Sequence, residues 1–273
     1  MNISSSRPLP LSPSSPRPPL PTVTLRGLAV HRVTQNEAVG FIVDELQAGR
    51  GGWVITPNLD HLRRCAHDPA FAGFFAQASL ILADGMPLVW ASRLQGTPLP
   101  QRVAGSSLIW TLSAAAAKEN RSIFMLGGDP GTAEAAGQIL AIRYPGLRIG
   151  GFTCPPVGFE RDPLQMQSLR QQLIAAAPDI VFVALGSPKQ ECLIAALQAD
   201  LPLAWWLGVG ISFSFVCGTV RRAPKWMQGC GLEWVHRLIQ EPRRLARRYL
   251  VEDLPFAFIL FAAATAVRLR RHK

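Results

Sequence analysis

The sequence has few cysteines, and their arrangement fits neither a metal site nor a disulfide framework. Five cysteines occur in 273 residues, and no two of them form a CxxC pair. The five histidines are scattered, and none joins a cysteine at a zinc-binding spacing. An odd number of cysteines excludes a complete set of intrachain disulfides. We therefore predict no metal site and a reducing, cytosolic environment.

The signatures of several common α/β enzymes are also missing. The chain contains no GxGxxG, GxxxxGK[ST] or GxSxG pattern. These absences remove the dinucleotide-binding, P-loop and serine-hydrolase fingerprints. A Rossmann-type oxidoreductase is disfavoured on this ground.

The chain does not begin with a continuous apolar stretch. Residues 1 to about 22 read MNISSSRPLPLSPSSPRPPLPT and are rich in proline and serine. A secretory signal peptide would need an unbroken apolar segment, which this stretch does not contain. We interpret residues 1–22 as a disordered tail.

Acidic residues are in the minority, and the excess of basic residues is concentrated near the C-terminus. The formal net charge is +10, and residues 221–273 hold 12 Lys and Arg against 4 Asp and Glu. An apolar run at 254–267 has the length of an interfacial segment. Arginines beside such a run would meet lipid phosphates, whereas no nucleic-acid motif is present. We therefore predict a membrane surface as partner, with a solvated basic face as the alternative. The arginines that would share one helix face are Arg243, Arg244, Arg247 and Arg248.

Short apolar runs alternate with amphipathic segments from Val23 onward. This alternation predicts an α/β fold, Rossmann-like, with a largely parallel sheet flanked by helices. The stretch LRGLAVHRV is predicted as a first strand, followed by a helix that Thr34 and Glu37 cap and Gly49 ends. The core is assigned to residues 23–220, and a basic appendage of two or three helices to 221–273. The later predicted strands are GGWVIT, SLILAD, RSIFMLGG, LRIGGF, DIVFVALG and LAWWLGVG.

The carboxyl ends of parallel strands meet at one edge of a sheet, where α/β proteins bind ligands. This edge would carry Thr56 and Asn58, which either bind a polar ligand or cap a helix that begins at Pro57. It would also carry Asp84, which either caps a helix or acts as a general base on an acceptor hydroxyl. The glycine-rich turn LGGDPG at 126–131 could offer backbone N–H groups to a phosphate. The remaining residues placed on this edge are Gly127, Gly186 and Gly208.

An ordered series of motifs is more specific than any one of them. The series is TPNLDHL, ADGMPLV, QRVAGSSL, FMLGGDPG, VALGSPKQE, GVGISFSFVCGTVRRAP and GLEWVHRLIQEPRRLARRYL. In this order the motifs make the chain from about Val23 to Tyr249 resemble the WecG/TagA/CpsF family of bacterial glycosyltransferases.

The resemblance implies an inverting glycosyltransferase of cell-surface polysaccharide synthesis that needs no metal ion or other cofactor. Such an enzyme would move N-acetylmannosamine, its uronic acid or glucose from a UDP-sugar donor to a polyprenyl-diphosphate-linked acceptor. It would work at the cytoplasmic face of the bacterial inner membrane, as a peripheral or monotopic protein. By its position in the motif, Asp84 would be the catalytic base. The substrate-binding positions implied in the same way are Thr56, Asn58, Arg102, Gln190, Arg237, Arg244 and Arg247.

Two positions depart from the family pattern and keep a second function open. Ser214 stands where the family often has an aspartate, and Pro87 stands where glycine is common. Both changes lie near the expected sugar pocket, so the donor sugar is not fixed by the sequence. The alternative is a non-catalytic nucleotide-sugar-binding subunit with a regulatory or scaffold role at the membrane. Monomer and homo-oligomer both stay open.

Overall fold

An antiparallel β-hairpin precedes the main sheet in the computed structural model, which describes residues 19–271. The hairpin consists of β1 (Thr22–Leu25) and β2 (Leu28–His31). The prediction of one strand over LRGLAVHRV was wrong, because Arg26 and Gly27 have φ angles of 49° and 86° and reverse the chain. Two consecutive positive φ angles are typical of a tight hairpin turn. Residues 1–18 of the predicted tail lie outside the described residues.

The main sheet has six parallel strands in the order β4-β3-β8-β7-β5-β6. Every strand predicted for this sheet is present, although β4 covers only two residues of SLILAD. Strands β5, β7 and β8 are buried along their whole length, which explains their continuous apolar sequences. The parallel α/β fold predicted from the sequence is confirmed. The strands are β3 (Gly52–Ile55), β4 (Leu80–Ile81), β5 (Ser122–Gly127), β6 (Arg148–Thr153), β7 (Ile180–Ala184) and β8 (Trp205–Gly208).

Helices cover both faces of this sheet and bury two apolar clusters against it. One face packs on the hairpin and on α2, α3, α4, α7 and α8, and the other packs on α1, α5, α6 and α9. The predicted capping box of α1 is confirmed, with mutual hydrogen bonds between Thr34 and Glu37. The helices are α1 (Gln35–Gln47), α2 (Leu59–His67), α3 (Pro69–Gln77), α4 (Met86–Leu94), α5 (Gly105–Lys118), α6 (Thr132–Arg143), α7 (Pro163–Ala176), α8 (Lys189–Leu197), α9 (Ser212–Cys217), α10 (Lys225–Gly229) and α11 (Glu233–Gln240).

A continuous helix of 30 residues, Pro242–Arg271, follows the core. It consists of α12 (Pro242–Ala246), a π-helical segment (Arg247–Asp253) and α13 (Leu254–Arg271). By length and composition alone this helix could cross a membrane. With α10 and α11 it makes the predicted C-terminal helical segment.

The two faces of α13 have different surroundings. Phe256, Leu260 and Ala264 belong to the core cluster, and α13 packs against α4 and α2. Phe258 and Ile259 on the opposite side are exposed. The segment after residue 220 therefore completes the core and also presents an apolar outer surface.

Candidate functional site

The Asp84 carboxylate lies at the carboxyl edge of the sheet, directly after β4. Helix α4 has Gly85 as its N-cap and no side-chain cap, so the interpretation of Asp84 as a helix cap was wrong. The Asp84 backbone N–H donates to the carbonyl of Pro57 at 2.8 Å, which ties Asp84 to the loop after β3. Within residues 19–271 no group donates a hydrogen bond to the Asp84 side chain. Its oxygens are available to a ligand.

The electrostatic surroundings of Asp84 are mixed. Burial raises the pKa of its carboxyl above the ordinary value of 3.8. The positive charge of Arg102 opposes this increase most, and Glu233 adds to it. Arg222 and His61 oppose it to a smaller extent. A carboxylate with a raised pKa, kept near cations at a ligand-binding edge, is suited to accept a proton.

Arg102 connects this carboxylate to the C-terminal segment. Its Nη1 donates to Glu233 Oε2 at 2.5 Å, and Arg222 Nε donates to Glu233 Oε1 at 3.3 Å. Arg222 also donates to Ser107 Oγ at 3.1 Å. Glu233 thus joins the start of α11 to the loop before α5. The sequence analysis missed Glu233 and Arg222, because their roles depend on partners far away in the chain.

Thr56 and Asn58 stand beside Asp84, as predicted for one edge of the sheet. Asn58 is the N-cap of α2, and its Oδ1 accepts from the backbone N–H of His61 at 3.2 Å. The prediction that a helix begins at Pro57 was therefore wrong. The amide nitrogen of Asn58 and the hydroxyl of Thr56 have no hydrogen-bond partner in the described part of the chain. Both groups are available to a ligand.

Gln190 lies at the same edge, over the end of β8. A Cβ atom on Gly208 would come 2.5 Å from Gln190 Nε2, so any side chain there would displace the Gln190 amide. Gln190 Oε1 accepts from the Gly210 N–H at 3.1 Å, and Nε2 donates to Glu191 Oε1 at 3.0 Å. The Gln190 side chain is therefore held in one orientation.

The glycine-rich turn after β5 leads directly into α6. Gly127, Gly128 and Gly131 have φ angles of 87°, 82° and 80°, and α6 has no side-chain cap. An uncapped helix start leaves backbone N–H groups free for a phosphate. Ser214, which replaces an expected aspartate, is buried and its Oγ lies 3.3 Å from Asp129 Oδ2. A carboxylate from the turn thus stands next to Ser214.

A cleft of about 320 Å³ opens beside Arg102, between α4 and the end of α10. Arg93 lines this cleft and forms no ion pair with any described residue. Two cations and two amides give the cleft a surface suited to a polar anion or a sugar. Its lining residues are Met86, Val89, Arg93, Pro100, Gln101, Arg102, Gln228 and Gly229.

Unlike Arg222, the predicted substrate-binding residues Arg237, Arg244 and Arg247 are not among the charges that act on Asp84. Arg244 pairs with Glu241 at 2.6 Å and is 62% exposed, and Arg247 faces Glu252 at 3.7 Å and is 86% exposed. Arg237 is partly buried and, among residues 19–271, has no ion-pair partner. These guanidinium groups remain available to a ligand that approaches from outside.

The predicted single basic face of Arg243, Arg244, Arg247 and Arg248 was wrong. Arg248 Nη2 lies 3.2 Å from the buried Asp60 carboxylate, so this side chain turns toward the core. The π-helical segment that begins at Arg247 also changes the angular spacing on which the prediction was based.

The described residues show no disulfide and no metal-binding cluster at this site. All five cysteines are free. Across residues 19–271, no three His, Cys, Asp or Glu side chains are grouped so that they could hold a metal ion.

Comparison with known proteins identifies the family of this chain. The model of the glycosyl transferase WecG/TagA/CpsF family matches residues 23–271. The chain is also similar to the N-acetylglucosaminyldiphosphoundecaprenol N-acetyl-beta-D-mannosaminyltransferase of Bacillus spizizenii. The two are 29% identical over 221 residues, which cover 81% of this chain and 84% of the relative. Since the family match covers nearly the whole described chain, the protein belongs to the WecG/TagA/CpsF family of glycosyltransferases.

Proposed function

We propose that this glycosyltransferase moves a sugar from a UDP-sugar to a polyprenyl-diphosphate-linked saccharide, with inversion at the anomeric carbon. The observation that carries the proposal is Asp84, a carboxylate to which no described residue donates a hydrogen bond, beside Arg102 at the carboxyl edge of the sheet. The name of the Bacillus spizizenii relative contains a diphosphoundecaprenol acceptor and a mannosaminyl group. N-acetylmannosamine, its uronic acid and glucose are the donor sugars that we propose to test.

The reaction needs one base and a group of positive charges. The acceptor hydroxyl oxygen attacks the anomeric carbon while its proton passes to Asp84, and the bond from that carbon to the UDP oxygen breaks. A single displacement from the side opposite the leaving group inverts the anomeric centre. Negative charge grows on UDP as it leaves, so cations and N–H groups that meet it in the transition state lower the barrier.

We assign the donor to the edge formed by Thr56, Asn58 and Gln190, with the glycine-rich turn before α6 available to its phosphates. We assign the acceptor to the cleft that contains Arg93 and Arg102, because it opens beside the base. Arg237, Arg244 and Arg247 are proposed to contact the lipid diphosphate where the acceptor leaves the membrane. These assignments put the acceptor hydroxyl between the base and the donor.

Membrane association is proposed to use the outer face of α13. Phe258 and Ile259 are exposed there, and Trp226 and Trp234 are exposed on α10 and α11. Aromatic side chains of this kind favour the membrane interface. Because Leu260 on the opposite face belongs to the core cluster, we infer that the helix lies along the cytoplasmic membrane surface instead of spanning it.

One observation supports a second candidate function. Ser214 occupies a position where the family often has an aspartate, and its Oγ faces Asp129 in the glycine-rich turn. A protein that binds a nucleotide sugar without transferring it, and that serves as a regulatory or scaffold subunit, is the alternative.

A UDP-release assay separates the two functions. The protein is incubated with UDP-N-acetylmannosamine, its uronic acid derivative or UDP-glucose, with and without a membrane extract that supplies lipid-linked acceptor. Release of UDP that depends on the extract supports the transferase. Binding of UDP without release from any donor supports the non-catalytic alternative.

A further inference from the structure

His61 and Glu191 are buried ionisable side chains that the reaction above does not use. They are 7% and 3% exposed and come from different helices, α2 and α8. His61 Nε2 lies 3.7 Å from Glu191 Oε1. Charged groups are buried at a high cost unless they are paired, so each side chain depends on the other.

The hydrogen positions on the imidazole follow from Asn58. Asn58 Oδ1 accepts from the His61 backbone N–H and lies 2.8 Å from His61 Nδ1. A backbone N–H can only donate, so the oxygen of the Asn58 amide must face it, and the 2.8 Å contact then requires a hydrogen on Nδ1. The Asn58 backbone nitrogen, 3.5 Å from Nδ1, is the weaker contact.

Nε2 of the same ring faces the carboxylate of Glu191, whose Oε1 lies 3.7 Å away. Burial alone would raise the pKa of the Glu191 carboxyl, but the contact with His61 brings that pKa below its ordinary value. The Glu191 carboxylate is thus placed against the second nitrogen of the ring.

This pair connects both sides of the assigned donor site. Glu191 Oε1 also accepts from Gln190 Nε2 at 3.0 Å. Asn58 is held on one side by His61, and Gln190 on the other by Glu191. Because the Asn58 oxygen is occupied, its amide nitrogen is the group left for a ligand.

We propose that His61, paired with Glu191, is a positioning residue that holds the Asn58 amide with its nitrogen available to the UDP-sugar. The inference rests on the proposed function, since it assigns the ligand of Asn58.

The test uses His61→Gln and Glu191→Gln, with His67→Gln as the control. His67 is an exposed histidine at the end of the same helix. The kcat and KM for the active UDP-sugar and the Kd for UDP are measured, together with the unfolding temperature of each variant. Loss of one oriented hydrogen bond raises KM for the UDP-sugar on the order of tenfold in both site variants.

The separate effects on KM and kcat distinguish positioning from a structural role. A positioning residue raises KM for the UDP-sugar while kcat and the unfolding temperature stay close to the wild-type values, whereas loss of a structural residue lowers the unfolding temperature. If His61→Gln matches His67→Gln in KM, the proposal is overturned.

A double-mutant cycle tests whether His61 acts through Asn58. If His61 acts through Asn58, His61→Gln causes no further rise in KM for the UDP-sugar in the Asn58→Ala background. Independent, additive effects would overturn the proposal. If wild type releases no UDP from any donor, the proposed function fails, and the same cycle measured as the Kd for UDP still decides the role of His61.

Discussion

In the proposed reaction Asp84 acts as a base, so its carboxyl must be ionised although burial removes much of its contact with water. Burial favours the protonated form, and Arg102 favours the ionised form. A base held between these two influences takes up a proton more readily than an exposed aspartate. Among the described residues, none donates a hydrogen bond to the Asp84 carboxylate. In the proposed reaction its oxygens can therefore accept the proton of the acceptor hydroxyl.

Replacement of Asp84 by asparagine removes the base and keeps the shape of the side chain. We expect Asp84→Asn to retain its unfolding temperature and its affinity for UDP but to lose turnover by a factor on the order of 10²–10⁴. Asp200→Asn, at a partly exposed carboxylate that pairs with Arg170, is the control. Near-normal turnover of Asp84→Asn would exclude general-base catalysis by this residue.

The carboxylate of Asp84 should also make kcat/KM depend on pH. Because the pKa of Asp84 is raised, the active ionised form is lost as pH falls, at a pH above that of an ordinary aspartate. We expect kcat/KM to decrease on the acid side with a midpoint above 3.8. A rate that stays constant down to this value would show that Asp84 is not the group that limits activity.

Sequence patterns identified Thr56, Asn58 and Asp84 because each follows closely on an apolar strand. They did not identify Glu233, which contacts Arg102 across 131 positions of sequence. They also did not identify the pairing of His61 with Glu191. A side chain whose role comes from a distant partner has no local signature.

At the level of elements, an ion cluster joins α2 to the long C-terminal helix. Asp60 Oδ1 accepts from Arg63 at 2.7 Å, and Arg248 lies 3.2 Å from Asp60 Oδ2. Asp253 lies 3.3 Å from Arg63 Nε. Since Asn58 is the N-cap of α2, this cluster attaches the C-terminal helix to an element of the assigned donor site.

Asp253 makes this attachment sensitive to pH. Burial, followed by the charge of Asp60, raises the pKa of Asp253 from 3.8 to about 6. The stabilising contribution of a group with a raised pKa is complete below its unfolded value and is lost as pH rises through about 6. An asparagine side chain cannot ionise, so the Asp253→Asn variant should gain up to about 3 kcal/mol in unfolding free energy over wild type as pH rises from about 4 to about 7.

Thermal unfolding at about pH 4 and about pH 7, on either side of the raised pKa, measures this difference. Asp60→Asn is the matched control, because the pKa of Asp60 is lowered and its loss should destabilise the protein at the higher pH. If the unfolding temperatures of wild type and Asp253→Asn depend on pH to the same extent, Asp253 is not the group responsible.

Helices and strands were predicted correctly wherever a single hydrophobic periodicity ran through the whole element. The buried strands β5, β7 and β8 read as continuous apolar runs, and α1 carries its capping residues in the sequence. The hairpin turn at Arg26 and Gly27 and the orientation of Arg248 were missed. A turn inside an apolar stretch and a π-helical segment both change the periodicity without changing composition.

At the scale of the whole molecule, the apolar outer face of α13 is the surface proposed to meet the membrane. Phe258 and Ile259 are 68% and 50% exposed. We expect Phe258→Ser with Ile259→Ser to weaken liposome binding roughly tenfold or more, since two apolar side chains no longer enter the interface. The unfolding temperature should not change.

Leu203→Ser is the control for this experiment. Leu203 is 59% exposed and lies directly before β8, at the amino ends of the parallel strands. Co-sedimentation with liposomes containing anionic lipid is the measurement. Unchanged sedimentation of the double variant would place the membrane contact on another surface.

The C-terminal arginines are expected to form two functional sets. Alanine at Arg244 or Arg247 should lower turnover with a short-chain lipid-diphosphate acceptor in the absence of liposomes, because a contact to the substrate is lost. Alanine at Arg268, Arg270 and Arg271 should leave that activity intact and weaken liposome binding in a salt-dependent way, since exposed charges are screened within about 8 Å at physiological ionic strength. Full activity of Arg244→Ala and Arg247→Ala would assign the whole set to the membrane surface.

The packing of α13 also has a consequence for the order of folding. Phe256, Leu260 and Ala264 cover α2 and α4, yet they emerge from the ribosome only after every strand of the sheet has been made. During synthesis the growing chain therefore holds an uncovered apolar surface that its own last helix must close. A nascent chain in this state is a substrate for chaperones. On the proposed function, in which the outer face of α13 meets the membrane, we expect the core to be completed at the bilayer.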